Sequence, residues 1–453
     1  MTAAHDATAP ESGGSLRRQL GLADAIAIYI GIVLGSGIFV APAAVARAAP
    51  GPLGAAGLWL AGGIVAACGG LCYAECGARL PQAGGFFVFY KTAFGDSLAF
   101  VAGWAALLVT YPAAIAAIAH VFADYMAEIV PGLGPRTTAV TAAAVLVAGT
   151  VNALGVRLSA WTQRILTSAK FLALVALLVA AWLGGGQARA ASTPVAAHGS
   201  SLASLVLTAA VVIMWTYDGW SDGPLLAGEL RDPARTLGRT IVIGTTLLVV
   251  LYIGVQLAVS RLLPADVAAS STRVVADAVE AGLGPRASRL VALLIVVTTG
   301  ASVNACIFTA SRIAYAMSRG GALPAWFGAA SGRSATPRRS VLALVAVTTL
   351  YAVAGTFDAL LAFFSFSVWI FYALTAGALL ELRRRGVGEP LAWRAPLGPV
   401  PVIVVLLTAA FMTQGLMRDD PRHSLIGLGI LLLGFPAFFA WRRLARGGRP
   451  AGS

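Results

Sequence analysis

Residues 24–48 read DAIAIYIGIVLGSGIFVAPAAVARA. The stretch is apolar enough and long enough to cross a bilayer, yet its middle is Gly35-Ser36-Gly37. A second apolar stretch, 202–226, is interrupted by Tyr217-Asp218-Gly219-Trp220-Ser221-Asp222-Gly223-Pro224. A backbone that leaves the helix inside hydrocarbon exposes N–H and C=O groups, each costing several kcal/mol unless protein, water or a ligand pairs with it. Two such breaks in corresponding places of one chain point to a transporter substrate site.

Working outward, the chain has 453 residues, of which 58% are hydrophobic and 11% charged, with a mean hydropathy of +0.83. Soluble domains carry about 25% charge, so the composition implies a membrane protein with many spans. Apolar runs predict twelve, at 24–48, 54–77, 97–129, 137–155, 162–183, 202–226, 240–262, 288–317, 341–355, 358–382, 400–417 and 424–441. The first run is too long for the core of a cleavable signal peptide, and no small-residue cleavage site ends it.

The net charge of +13 raises a nucleic-acid partner, but its placement argues for a lipid bilayer instead. With the N-terminus in the cytoplasm, 21 of the 32 Lys and Arg fall on the inner side and 9 on the outer, while Lys170 and Arg312 lie within spans. That is the positive-inside bias, and it predicts a plasma (inner) membrane protein with both termini cytoplasmic.

The broken spans are the first and the sixth. Five spans separate equivalent positions, and five is odd, so the second half is inverted relative to the first. The expectation is an all-α membrane protein of twelve transmembrane helices. Ten form a five-plus-five inverted repeat, like that of the leucine transporter, and two are appended at the C-terminal end. Repeat one covers about 20–185, repeat two about 200–385 and the extra helices about 399–443. They form one transporter domain at 20–446, between polar tails at 1–19 and 447–453.

At the first break, Gly35 and Gly37 let the backbone unwind and a ligand approach it. The amides of Ser36, Gly37 and Ile38 then open the second half-helix, whose dipole favours a carboxylate. A small-residue packing seam is the alternative reading. At the second break, Asp218 is an acid at bilayer depth, where acids face a cavity or a partner. Carbonyls of Trp215, Thr216 and Asp218, freed where the half-helix ends, suit an ammonium group. Trp215 is either a lid over that site or, like Trp220, ordinary packing.

Lys170 is the one lysine within a span. It either snorkels to the interface or takes the place of a sodium ion, bonding to span-one carbonyls and to Thr298, Thr299 or Ser302 of span eight. Cys68, Cys72 and Cys76 share one helix face and read as small packing residues before they read as a metal or redox site. The four histidines are scattered. No nucleotide loop, metal-spaced cluster or hydrolytic triad is present, so neither an enzyme nor a cofactor is expected.

Five motifs occur in order. They are Gly35-Ser36-Gly37-Ile38-Phe39; Tyr73-Ala74-Glu75 with Arg79-Leu80-Pro81-Gln82-Ala83-Gly84-Gly85; and Tyr217-Asp218-Gly219-Trp220 with Gly228-Glu229-Leu230-Arg231-Asp232-Pro233. Asn304 with Ser311-Arg312 and Leu323-Pro324 follows, then Phe364-Ser365-Phe366 with Trp369 and Leu382-Arg383-Arg384. Together they resemble the amino acid–polyamine–organocation superfamily, nearest to its L-type amino acid transporter branch.

The resemblance implies a secondary amino acid transporter working by alternating access, as a sodium-independent exchanger or a proton symporter. It implies an aromatic gate at Trp215 and Phe364, side-chain pocket positions at Ser221 and Val368, and a sodium-mimicking Lys170. Glu229 is a candidate for an inner-gate ion pair. Two departures matter. Relatives in the animal branch carry a cysteine before span four that links a heavy chain. This chain has none between Ile129 and Thr138, so no disulfide-linked heavy chain is expected. Val368 is apolar where some relatives are polar. A polyamine carrier, and less so a non-transporting sensor or channel, are the competing readings.

Overall fold

The computed structural model describes residues 21–49, 51–80, 85–154, 160–183, 201–221, 233–319, 321–328, 338–388 and 393–447. The loop at 222–232, with Asp222 and Glu229, lies outside them, as do Pro81–Gly84 and most of both tails.

All regular structure among the described residues is helical. In chain order the helices are α1 (Leu22–Val33), α2 (Ala41–Ala48), α3 (Pro52–Arg79), α4 (Phe86–Phe94), α5 (Asp96–Ala105), α6 (Tyr111–Ile129), α7 (Thr137–Ala153), α8 (Ala160–Leu183) and α9 (Leu202–Thr216). They continue as α10 (Pro233–Leu262), α11 (Ala265–Ser270), α12 (Val274–Leu283), α13 (Pro285–Arg319), α14 (Arg338–Ala354), α15 (Phe357–Arg384), α16 (Val400–Asp419) and α17 (Pro421–Gly447). Between α5 and α6 the chain keeps its course through a π-helical turn, Ala106–Thr110.

Seven described helical segments are long and apolar enough to cross a membrane: Pro52–Arg79, Asp96–Ile129, Thr236–Leu262, Pro285–Ser311, Phe357–Arg384, Val400–Asp419 and Pro421–Arg443. The two broken stretches supply shorter apolar helices, Leu22–Val33 and Leu202–Thr216. Each is too short alone to cross about 30 Å of hydrocarbon. This is the physical consequence of the glycines and the acid read in the sequence.

Close packing at the centre follows from small residues on α3. A Cβ on Gly62 would stand 2.4 Å from Ile213 Cγ2, and one on Gly69 would stand 2.3 Å from the Trp220 ring. With no side chain there, α9 and the segment after it press directly on the α3 backbone. Helices α10 and α3 lie side by side, as do α13 and α6. The short α11 and α12 sit over the end of the bundle where α2 finishes and α13 begins. The opposite end is rich in arginine and carries Arg79, Arg338, Arg339, Arg383–Arg385 and Arg394.

Buried polar groups are matched across helices. Glu75, fully buried near the arginine-rich end of α3, accepts at Oε1 from Arg79 Nε and Arg383 Nε, each at 3.0 Å. Its Oε2 accepts from Arg383 Nη2 at 2.6 Å and from the Ala395 N–H at 2.8 Å. One carboxylate thus joins α3, α15 and the segment leading to α16. An unpaired charge there would be strongly destabilising, and this geometry satisfies both oxygens.

A candidate substrate site at two crossed helix breaks

The first break forms as the sequence dictates. Helix α1 stops at Val33, the Leu34 N–H turns back to Ile30 O at 2.7 Å, and the Gly35 N–H to Val33 O at 2.6 Å. A 3-10 turn, Gly37–Phe39, follows before α2 begins at Ala41. The amides of Ser36, Gly37 and Ile38 therefore precede and enter a tight turn, where the sequence placed them directly on the second half-helix. Among the described residues none accepts from these three N–H groups. All three residues are nonetheless buried. Three such donors side by side have hydrogen-bonding capacity for an anion.

The second break begins where α9 ends at Thr216. The Asp218 N–H returns to Trp215 O at 3.2 Å, and Gly219 takes a positive φ of 115° that reverses the chain direction at little steric cost. The two breaks cross. A Cβ on Gly37 would stand 2.7 Å from Thr216 Cα and 2.6 Å from Thr216 Oγ1. One on Gly219 would stand 3.3 Å from Val33 Cα. Tyr252 of α10 ties them together, its hydroxyl lying 3.3 Å from Thr216 O and 3.5 Å from Val33 O. Its ring packs on Trp59 and Tyr217, with centroids at 5.3 and 5.0 Å.

Of the carbonyls assigned to an ammonium, Trp215 O accepts from the Asp218 N–H and Thr216 O from the Tyr252 hydroxyl. The Asp218 carboxyl, half-buried, stands at the crossing. Its Oδ1 accepts from the Tyr372 hydroxyl of α15. Tyr372 in turn packs at a tilt against Trp220, with centroids 4.1 Å apart, and meets Tyr73 and Trp369 edge-on.

Phe364, Val368 and Tyr372 fall four residues apart and so share one face of α15. Phe364 is buried and Val368 half-buried on that row, which leads toward span six. Ser221, half-buried, is the last described residue of the break. Trp215 is 8% exposed and meets Phe357, the first residue of α15, edge-on at 5.4 Å. An apolar groove of about 370 Å³ between α15 and α16 is lined by Trp369, Ile370, Ala373 and Leu406, among others, but by none of the break residues.

Lys170 is buried on α8, and its Nζ donates to Ser302 Oγ of α13 at 3.2 Å. Of the three span-eight hydroxyls offered as alternatives, Ser302 is the one that Lys170 meets. Thr298 and Thr299 turn their hydroxyls back to Ile295 O at 3.0 and 2.7 Å, as threonines in apolar helices do. No bond joins Lys170 to the first break among the described residues. Tyr125, Tyr252 and Tyr372 were not singled out by sequence reasoning. The available signal was a phenol inside an apolar run, since a buried Tyr hydroxyl needs a partner.

Comparison with known proteins identifies the family. The profile of the family described as amino acid permease matches residues 20–434. The human b(0,+)-type amino acid transporter 1 is 31% identical over 434 residues, covering 94% of this chain and 88% of that protein. The mouse large neutral amino acids transporter small subunit 2 is 30% identical over 455 residues, covering 96% and 83%. The Bacillus subtilis serine/threonine exchanger SteT is 25% identical over 432 residues, covering 94% and 98%. Two crossed helix breaks inside an apolar bundle, matched along nearly the whole chain, make this protein a multi-pass membrane transporter of the amino acid permease family, within the amino acid–polyamine–organocation superfamily and similar to its L-type branch.

Proposed function

We propose that the protein carries amino acids across the plasma (inner) membrane by alternating access, binding both ends of the substrate at the crossed breaks. The α-carboxylate takes the unpaired amides of Ser36, Gly37 and Ile38. The α-ammonium takes the Asp218 side and the carbonyls of Trp215, Thr216 and Asp218 at the end of α9. The observation that carries this reading is the crossing itself, with orphaned donors on one strand and an acid beside carbonyls on the other. A polyamine has no carboxylate to place on the amides, so the same observation disfavours a polyamine carrier. The relatives' names point the same way, to neutral amino acids and to exchange.

The rest of the reading follows. Twelve spans, counted with the broken and short helices, form the five-plus-five inverted repeat and two appended helices, with both termini cytoplasmic. Trp215 and Phe364 gate the site, and Ser221 and Val368 line the side-chain pocket. Transport is sodium-independent, by exchange or proton symport, with Lys170 and Ser302 standing where a cation would otherwise bridge α8 and α13. No disulfide-linked heavy chain is needed.

The test is competition in proteoliposomes, after a thermal-shift screen of the twenty amino acids has found the best substrate. Its methyl ester and its N-acetyl derivative are expected to compete poorly, each losing roughly 1.5–3 kcal/mol of charged hydrogen bonding. Competition as strong as that of the parent amino acid would overturn the two-ended site.

A further inference from the structure

Tyr125 lies on α6 with its side chain fully buried, and its hydroxyl donates to Phe39 O at 3.0 Å. The two rings meet edge-on at 6.5 Å. Phe39 closes the 3-10 turn, its N–H returning to Ser36 O at 3.1 Å. In an unbroken helix its carbonyl would accept from the Ala43 N–H, but that donor goes to Val40 O at 3.2 Å. The break therefore leaves the Phe39 carbonyl buried without its helical partner, and the phenol of a neighbouring span replaces it.

The same face of α6 makes a second attachment. Glu128, three residues beyond Tyr125, pairs with Arg273, whose Nε also meets Asp277 Oδ1 of α12 at 3.1 Å. On the far side of the turn, Arg47 of α2 donates to Ala269 O of α11 at 2.6 Å. The turn is thus held by α6 directly and, through α2, by the helical cap to which α6 is itself fastened.

We infer that Tyr125 is a positioning residue for the substrate carboxylate. By fixing the Phe39 peptide it sets the direction of the turn that presents the Ser36, Gly37 and Ile38 amides, without touching substrate itself. Affinity for a carboxylate then depends on α6 lying against the first break, so the anion site is complete only while that contact is made. The inference rests on the carboxylate assignment proposed above.

The experiment compares wild type with Tyr125→Phe in proteoliposomes. The probe is whichever of radiolabelled L-serine and L-leucine the wild type exchanges faster, with its methyl ester as competitor. Tyr125→Phe is expected to raise KM about tenfold while kcat stays within about twofold, the pattern of a lost binding interaction. The ratio by which the ester is disfavoured against the acid is expected to fall by a similar factor. A purely structural hydroxyl would lower protein yield or thermal stability and leave that ratio alone. An unchanged ratio in Tyr125→Phe, with a wild type that discriminates, therefore overturns the role of Tyr125 only. A wild type that does not discriminate overturns the carboxylate assignment and this inference with it. Tyr125→Leu, also without a hydroxyl but of different shape, carries the same expectation and replaces Tyr125→Phe if that variant does not reach the membrane.

Discussion

Trp215 and Lys170 are both buried, one at the end of α9 and one on α8. The Trp215 indole bridges the end of α9 and the start of α15 through Phe357, and in the proposed cycle it is the lid over the crossing. A lid stabilises the occluded state more than the open one, and its loss slows the cycle as well as weakening binding. Trp215→Ala is expected to lower the exchange rate about tenfold or more in protein that still inserts, read as initial rates normalised to reconstituted protein. An unchanged rate would reduce the ring to packing. Lys170 keeps a buried ammonium with Ser302 Oγ as its partner. A buried charge needs compensation, so its presence argues for a role in α8–α13 coupling. Uptake is expected to persist when sodium is replaced by choline, and Lys170→Ala is expected to weaken substrate affinity or turnover without abolishing insertion. Sodium-dependent uptake by the wild type would remove the sodium-mimic account. Repeating both assays with and without an inward proton gradient separates symport from exchange.

At the scale of elements, the Glu75 cluster is a polar tie between helices far apart in the chain. Arg383 and Ala395 meet a carboxylate 308 and 320 residues away. Removing it leaves two guanidinium groups without their buried partner, which by analogy with other buried pairs costs about 3–5 kcal/mol. Glu75→Ala is therefore expected to lower the Tm of the detergent-solubilised protein by several degrees, whereas Glu75→Asp, which keeps the charge, loses less. Equal Tm values for wild type and Glu75→Ala would mean that the arginines find other acceptors. The sequence showed both partners inside recognisable motifs, Tyr73-Ala74-Glu75 and Leu382-Arg383-Arg384, but not that they face one another. Motifs report what each helix end carries. Only packing brings α3 and α15 together at that depth.

For the whole molecule, the arginine distribution predicts orientation. On a cysteine-free background, Ser12→Cys is expected to react with an impermeant maleimide only from the cytoplasmic side, and Arg418→Cys only from the opposite side. Labelling of both from one side would mean an even number of spans between residues 12 and 418 and would overturn the count of twelve. The sequence by itself determined the class of protein, its all-helical character and the positions of the two breaks. Those are local properties: apolar run length fixes a span, and glycines or an acid inside it forbid a continuous helix. Tertiary structure alone decided what holds each break. Tyr125 reaches Phe39 across 86 positions, Tyr372 reaches Asp218 across 154 and Tyr252 reaches Val33 across 219. A hydroxyl on an apolar helix announces that it needs a partner but not which one. The choice belongs to helix packing, which turned Lys170 toward Ser302 and left Thr298 and Thr299 bonded within their own helix.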